Sequence, residues 1–210
     1  GGADPAEALR RAAAAAARAA RRLRVTHLHA AMPSAGSLPP EEAAQALVEG
    51  ALLGGYAFVQ HKSDLADERP ALGGVTLLCA ADQGEAAGRG AERGRVLAEA
   101  VTLARDLANM PANYLTPTLL AERAEGIAQE TGLAFQALEE SDMAALGMGA
   151  LLGVAQGSEE PAKFIILEHN AGRDDLDTYV VVGKGITFDS GGISLKPGEG
   201  MEWMKDDMSG

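Results

Sequence analysis

The chain has 210 residues, 47% of them hydrophobic, a formal net charge of −12 and a single cysteine. That length holds one large domain or two small ones with a true interior. The acidity makes nucleic acid an unexpected partner, one cysteine excludes an internal disulfide framework and fits a reducing cytoplasm, and no apolar run reaches the ~18 residues of a membrane span.

No basic segment followed by an apolar one opens the chain, so no signal peptide is expected. The first residue is not Met, and the chain stops at Met208-Ser209-Gly210 without a closing element. It therefore reads as a piece of a longer protein.

Asp4-Pro5-Ala6-Glu7 predicts a helix start, with Asp4 as cap, Pro5 in the first turn and Glu7 placed to reach back. The helix runs to about Arg24 and is mostly Ala, carrying Arg10, Arg11, Arg18, Arg21, Arg22 and Arg24. These arginines are not interleaved with aromatics, so they read as a solvated face with a favourable dipole end, and nucleic-acid binding stays the alternative.

Val25 to Ala30 alternates like a short strand and places His27 and His29 on one face. Such a pair can bind metal, but nothing nearby in sequence supplies a third ligand, so the pair is read as structural. Pro39-Pro40-Glu41-Glu42 opens a helix to about Phe58. A polar loop, Gln60 to Arg69, precedes a strand over Gly74 to Ala81. Cys79 lies in that strand pattern and is expected buried and inert.

Glu85 to Ala108 predicts a long helix striped by Val96, Leu97, Val101, Leu103, Ala104 and Leu107. A turn-rich break, Asn109 to Asn113, ends it, and Thr116-Pro117 caps the next helix, to about Thr131. A short strand (Leu133 to Ala137) and a helix capped by Ser141 follow. Glycines 147, 149 and 153 lack both the Gly-Lys-Ser/Thr ending of a phosphate loop and the dinucleotide spacing. Lys163 to His169 and Tyr179 to Val182 read as strands, the second as a buried one. The alternation implies an α/β fold with a mixed, largely parallel sheet and helices on both faces.

Beyond Val182 polar groups arrive at fixed places: Lys184, Asp189, Ser190, Lys196 and the Asp206-Asp207 pair, separated by glycines at 183, 185, 191, 192, 198 and 200. Two lysines and three carboxylates at the end of an apolar strand are costly without a purpose. A bound cation supplies one, at the carboxyl ends of strands where ligands gather.

Val182 to Gly210, together with Arg105 to Asn113 and, more weakly, Met148 to Ser158, strongly resembles the leucyl (cytosol) aminopeptidases, a family of two-metal exopeptidases. The resemblance implies an N-terminal α/β domain over residues 1–84, a linker helix over 85–108 and the first part of the catalytic domain over 109–210. It implies two divalent ions, Mn²⁺ or Zn²⁺, with Lys184, Asp189 and Asp207 on ligand positions and Lys196 on the catalytic lysine. Met204 matches a position near the substrate side chain, whereas Trp203 reads as core. Substrate contacts would come from the same five residues, Lys184, Asp189, Lys196, Asp207 and Met204.

Carboxylates suit such ions, and a lysine ligates only as the neutral amine, which a neighbouring dication favours. The implied reaction is release of N-terminal residues, with a leucine-type preference, from peptides by metal-activated water, in a homo-hexamer. The family's remaining ligands and catalytic Arg lie in an Asn-Thr-Asp-Ala-Glu-Gly-Arg motif that this chain lacks, so the 210 residues alone are expected to be inactive. Asp189-Ser190-Gly191-Gly192 also matches the tetrapeptide around a serine-protease nucleophile, but neither His61 nor His169 has the context of a base. A non-catalytic binding protein that keeps the fold is the other alternative.

Overall fold

A computed structural model describes residues 4–33, 38–63 and 72–210. It divides into two compact units, Gly1–Asp106 and Leu107–Gly210. Part of the loop expected over Gln60 to Arg69, from residue 64 on, lies outside the described residues.

The first unit contains α1 (Pro5–Arg22), β1 (His27–Ala31), α2 (Pro40–Gly55), β2 (Gly74–Leu78) and most of α3 (Gly84–Asn109). Asp4 caps α1 as expected, its Oδ1 accepting the Ala6 N–H at 3.1 Å. Glu7 does not reach back: it accepts from Arg10 and Arg11 at 2.8 and 2.7 Å, because two guanidinium groups one turn ahead outcompete a single amide. The strands β1 and β2 pair in parallel, with His27 opposite Gly74 and Ala31 opposite Leu78.

The core of this unit is built from small side chains: Ala13, Ala17, Ala43, Ala44, Ala51 and Ala87, joined by Met32 and Leu47. Alanine buries little area, so such a core depends on close helix approach. Glycine permits that approach on both sides of α2. A Cβ on Gly50 would lie 2.1 Å from the Arg10 carbonyl oxygen of α1, and one on Gly90 of α3 would lie 2.0 Å from the Glu41 carbonyl oxygen. Glu49 is buried beside this contact and accepts from Arg10 Nε at 2.7 Å and Gln45 Nε2 at 2.6 Å. Hydrogen bonding to Glu49, then to Glu7, raises the Arg10 pKa above its ordinary value.

Cys79 is exposed, contrary to expectation. The β1–β2 ladder ends at Leu78, itself 54% exposed, so the apolar run continues past the element that would have buried it.

The second unit contains α4 (Pro117–Thr131), β3 (Ala134–Leu138), α5 (Glu140–Ala145), α6 (Gly149–Ala155) and β4 (Phe164–Glu168). Thr116 caps α4 and Gly132 ends it in the left-handed conformation, φ 74°. Ala121, Ala124 and Ala128 form the buried stripe of α4, which packs on the antiparallel β3–β4 ladder. The cap of α5 is Glu139, not Ser141: Glu139 and Asp142 satisfy each other's backbone N–H groups in a capping box. Lys163 then pairs with Glu139 at the start of β4, Oε2 lying 2.6 Å from Nζ.

The α/β class is as expected, but Tyr179–Val182 forms no strand, and its side chains are 79–95% exposed. A strand requires a hydrogen-bonded neighbour. The two strands of this unit pair with each other, and no described strand pairs with the segment. Its β-branched composition describes a surface it would fit, not a conformation it holds alone.

Gly50→Ala and Gly90→Ala should each destabilise the first unit by about 1–3 kcal/mol through overpacking. Gly88→Ala, whose Cβ would meet nothing within 4 Å, should be neutral or stabilising. Urea unfolding of the three variants checks this, and equal effects would remove the close-approach argument. Val181→Lys should lower the fluorescence of a bound hydrophobic dye; unchanged dye binding would mean the segment is covered.

Candidate metal centre

From Tyr179 to Gly210 the backbone forms no α-helix or strand; its one helical piece is a 3₁₀ turn over Met201–Asp206. Local hydrogen bonds set the loop instead. The Asp189 Oδ1 accepts the Gly191 N–H at 2.8 Å, a side-chain-closed turn typical of Asp. Gly191 has φ 104°, and a Cβ there would lie 2.5 Å from the Ser194 carbonyl oxygen, so the position admits glycine alone. The Lys196 N–H then donates to the Ser190 carbonyl at 2.9 Å and closes the loop.

This closure aims Lys196 back at Asp189. Its Nζ donates to Asp189 Oδ2 and to the Asp189 carbonyl, both at 3.0 Å, and to Met204 Sδ at 3.4 Å. The three donors of an ammonium thus each have an acceptor. Lys184 pairs with Asp207, Nζ to Oδ2 2.7 Å. The chain end folds onto the same place: the Gly210 N–H donates to the Lys184 carbonyl at 3.2 Å, and Met208 is buried. Lys205 ties the 3₁₀ turn to the end of α3 through the Asn109 carbonyl at 3.0 Å.

The sequence-predicted residues therefore gather as two carboxylate–lysine pairs, Asp189–Lys196 and Lys184–Asp207, with Met204 touching the first. Asp206 is exposed, whereas Asp207 is half-buried. Trp203, expected in a core, is 64% exposed; a short 3₁₀ turn has no second face to bury it against. Sequence reasoning missed Glu199, which with Lys196, Pro197, Gly200, Met201 and Met204 lines a hollow of about 150 Å³. That volume is below the ~300 Å³ of a typical ligand pocket.

The donor set matches a hard or borderline divalent cation in type, with carboxylate oxygens and an amine. It falls short in number. Among the described residues no three His, Cys, Asp or Glu side chains stand where they could share one ion.

Residues 102–210 match the catalytic domain of the cytosol aminopeptidase family, and residues 3–65 match that family's N-terminal domain. The chain belongs to the cytosol aminopeptidase family. It is 45% identical over 203 residues to a probable cytosol aminopeptidase of Roseiflexus castenholzii, covering 96% of this chain and 42% of the relative. With a probable cytosol aminopeptidase of Geotalea uraniireducens it shares 47% identity over 208 residues, covering 96% and 41%.

Among solved structures it is similar to the bottromycin maturation enzyme BotP in complex with Mn (TM-score 0.79, 35% identity, 100% of this chain and 42% of that one). It is also similar to a mutant tomato leucine aminopeptidase (TM-score 0.67, 27% identity, 75% and 32%). The chain thus spans about two fifths of the length of the curated relatives it matches. No helix among the described residues is long and apolar enough to cross a membrane.

The Gly191 N–H first, and Lys196 second, hold the Asp189 carboxyl below the usual aspartate range. A depressed folded-state pKa means that the unfolded chain binds the proton more tightly. The stabilisation from these bonds is therefore present above the unfolded value of about 3.9 and is lost as pH falls through the folded one. In carbon-detected NMR the Asp189 carboxyl should titrate below the ordinary midpoint. Lys196→Met should move it only partly back, since the Gly191 donor persists. A full return to the ordinary value would show that Lys196 alone sets it.

Proposed function

We propose that this chain carries part of the catalytic site of a metal-dependent aminopeptidase that removes N-terminal residues, with a leucine-type preference, from peptides. The observation that carries the reading is the meeting of Lys184 with Asp207 and of Lys196 with Asp189 inside the region matched to the peptidase catalytic domain. Family membership supports it. So does a structural neighbour described as a complex with Mn.

Asp189, Asp207 and the Lys184 amine would hold two divalent ions, Mn²⁺ or Zn²⁺, both of which suit such donors. When bound, the ions supply Lewis acidity toward a carbonyl and lower the pKa of water. The protein's own part is positional. Both carboxylates are half-exposed, so each can turn an oxygen outward without crossing a packed core.

Lys196 sits on Asp189 Oδ2, the oxygen that the Gly191 N–H leaves open, and the ammonium balances its charge. Once displaced from Oδ2, Lys196 still has the Asp189 carbonyl and Met204 as acceptors, and its freed N–H can face the oxygen of a scissile carbonyl. There it would stabilise developing negative charge. Met204, which lines the hollow beside Lys196, would touch the substrate side chain. The division into residues 1–84, 85–108 and 109–210, assembly as a homo-hexamer and a cytoplasmic location complete the reading.

The test uses the protein expressed with whatever its genomic reading frame encodes on either side, assayed on a leucyl chromogenic amide with Mn²⁺ or Zn²⁺. Chelation should abolish turnover. Lys196→Ala should lower kcat by about 10²–10³-fold while the bound metal, measured by elemental analysis, stays constant. Turnover that survives chelation, or a Lys196→Ala variant of full activity, would overturn the assignment.

A further inference from the structure

The sequence leaves His27 and His29 without a third ligand; the fold brings the Thr76 hydroxyl beside His27. The parallel register sets His29 opposite Thr76 and His27 opposite Gly74. The His27 Nε2 lies 2.8 Å from Thr76 Oγ1. Both histidines are exposed, and their ring centres stand 4.9 Å apart at 45°. Gly74 makes room for this arrangement: a Cβ there would lie 2.6 Å from His27 Cε1 and 2.8 Å from Nδ1. The His27 ring thus lies across the strand pair with its Nε2 side toward Thr76 and the residue opposite it, His29.

These distances fit a chelate. Two imidazoles on one cation, each bound at about 2.1 Å with a ligand angle of about 90–110°, have ring centres about 4.5–5.2 Å apart. Adjacent ligand atoms at that bond length are about 3 Å apart, close to the present Nε2 to Oγ1 distance. The cation would replace the hydrogen bond between His27 and Thr76 and keep both atoms.

We propose that His27, His29 and Thr76 form a divalent transition-metal site on the open face of the β1–β2 ladder, with water completing the coordination. Two imidazole nitrogens and a neutral hydroxyl favour Cu²⁺, Ni²⁺ or Zn²⁺ over Mg²⁺, Ca²⁺ or Mn²⁺. The donors include no carboxylate, so Mn²⁺, which suits Asp189 and Asp207, is disfavoured here.

The untagged protein, expressed with whatever its reading frame encodes on either side, titrated with Ni²⁺ and followed by imidazole proton NMR, tests the site. Paramagnetic broadening should reach His27 and His29 at substoichiometric Ni²⁺, before His61 and His169. His29→Asn, a surface change, should weaken Ni²⁺ binding at least about tenfold, and Thr76→Val by up to about tenfold. Mn²⁺ should leave His27 and His29 sharp, and Asp189→Asn with Asp207→Asn should leave the Ni²⁺ response intact. Broadening of all four histidines at the same Ni²⁺ concentration would overturn the proposal. Loss of the response in the double Asp variant, or unchanged affinity in His29→Asn, would do so as well.

Discussion

The C-terminal region depends on one constraint: an ammonium group must be surrounded by acceptors where no helix or strand organises the backbone. Lys196 meets it through Asp189 and Met204. Those acceptors converge because Gly191 takes a conformation that a side chain would forbid. The dependence runs one way. Without the turn at Gly191, the Lys196 N–H loses the Ser190 carbonyl and Asp189 loses its amide donor. The carboxylate would then rely on one exposed ion pair, which contributes little on its own. The loop is thus held by a short chain of linked bonds, and the same chain presents Asp189 and Lys196 side by side.

The first unit meets a different constraint. Its core residues are mostly alanines, which supply little transfer free energy each. Closeness compensates, because helices separated only by glycine and alanine gain dispersion contacts along their backbones. Helix α2 takes this contact from α1 at Gly50 and from α3 at Gly90. Glu49 is buried at the first of these contacts and is tolerated because Arg10 and Gln45 satisfy it. A polar group held there by two partners also fixes how α1 and α2 slide along each other, which a smooth alanine surface does poorly.

Local chemistry was legible in the sequence where one nearby partner decides it without competition. Asp4 and Thr116 cap as their types dictate, Gly132 ends its helix, and the Asp-x-Gly turn at 189–191 follows from Asp itself. Failures arise where the partner is distant or competes. Glu7 was drawn by two arginines away from the backbone, and Glu139 outcompeted Ser141 because Asp142 could answer it. Cys79 and Trp203 were judged by hydrophobic type, yet burial depends on what is packed against them. Thr76 was invisible as a partner of the histidine pair, since a parallel ladder joins residues 49 positions apart. Glu199 had no motif to announce it.

Tyr179–Val182 and the carboxylate pairs share a physical condition. The apolar segment has the composition of a central strand but no neighbour on either edge among the described residues. Asp189 and Asp207 have the chemistry of metal ligands but, among the described residues, no third carboxylate or imidazole to share an ion with. In both cases the residues meet what is nearest: the segment's side chains face solvent, and lysine ammonium groups balance the carboxylates. Such partners bind weakly enough to be exchanged. The Lys184–Asp207 and Lys196–Asp189 pairs are half-exposed, and ion pairs of that kind are broken at a cost of about 1 kcal/mol or less. A divalent ion that offered either carboxylate a shorter bond would therefore meet little resistance from the loop that now holds it.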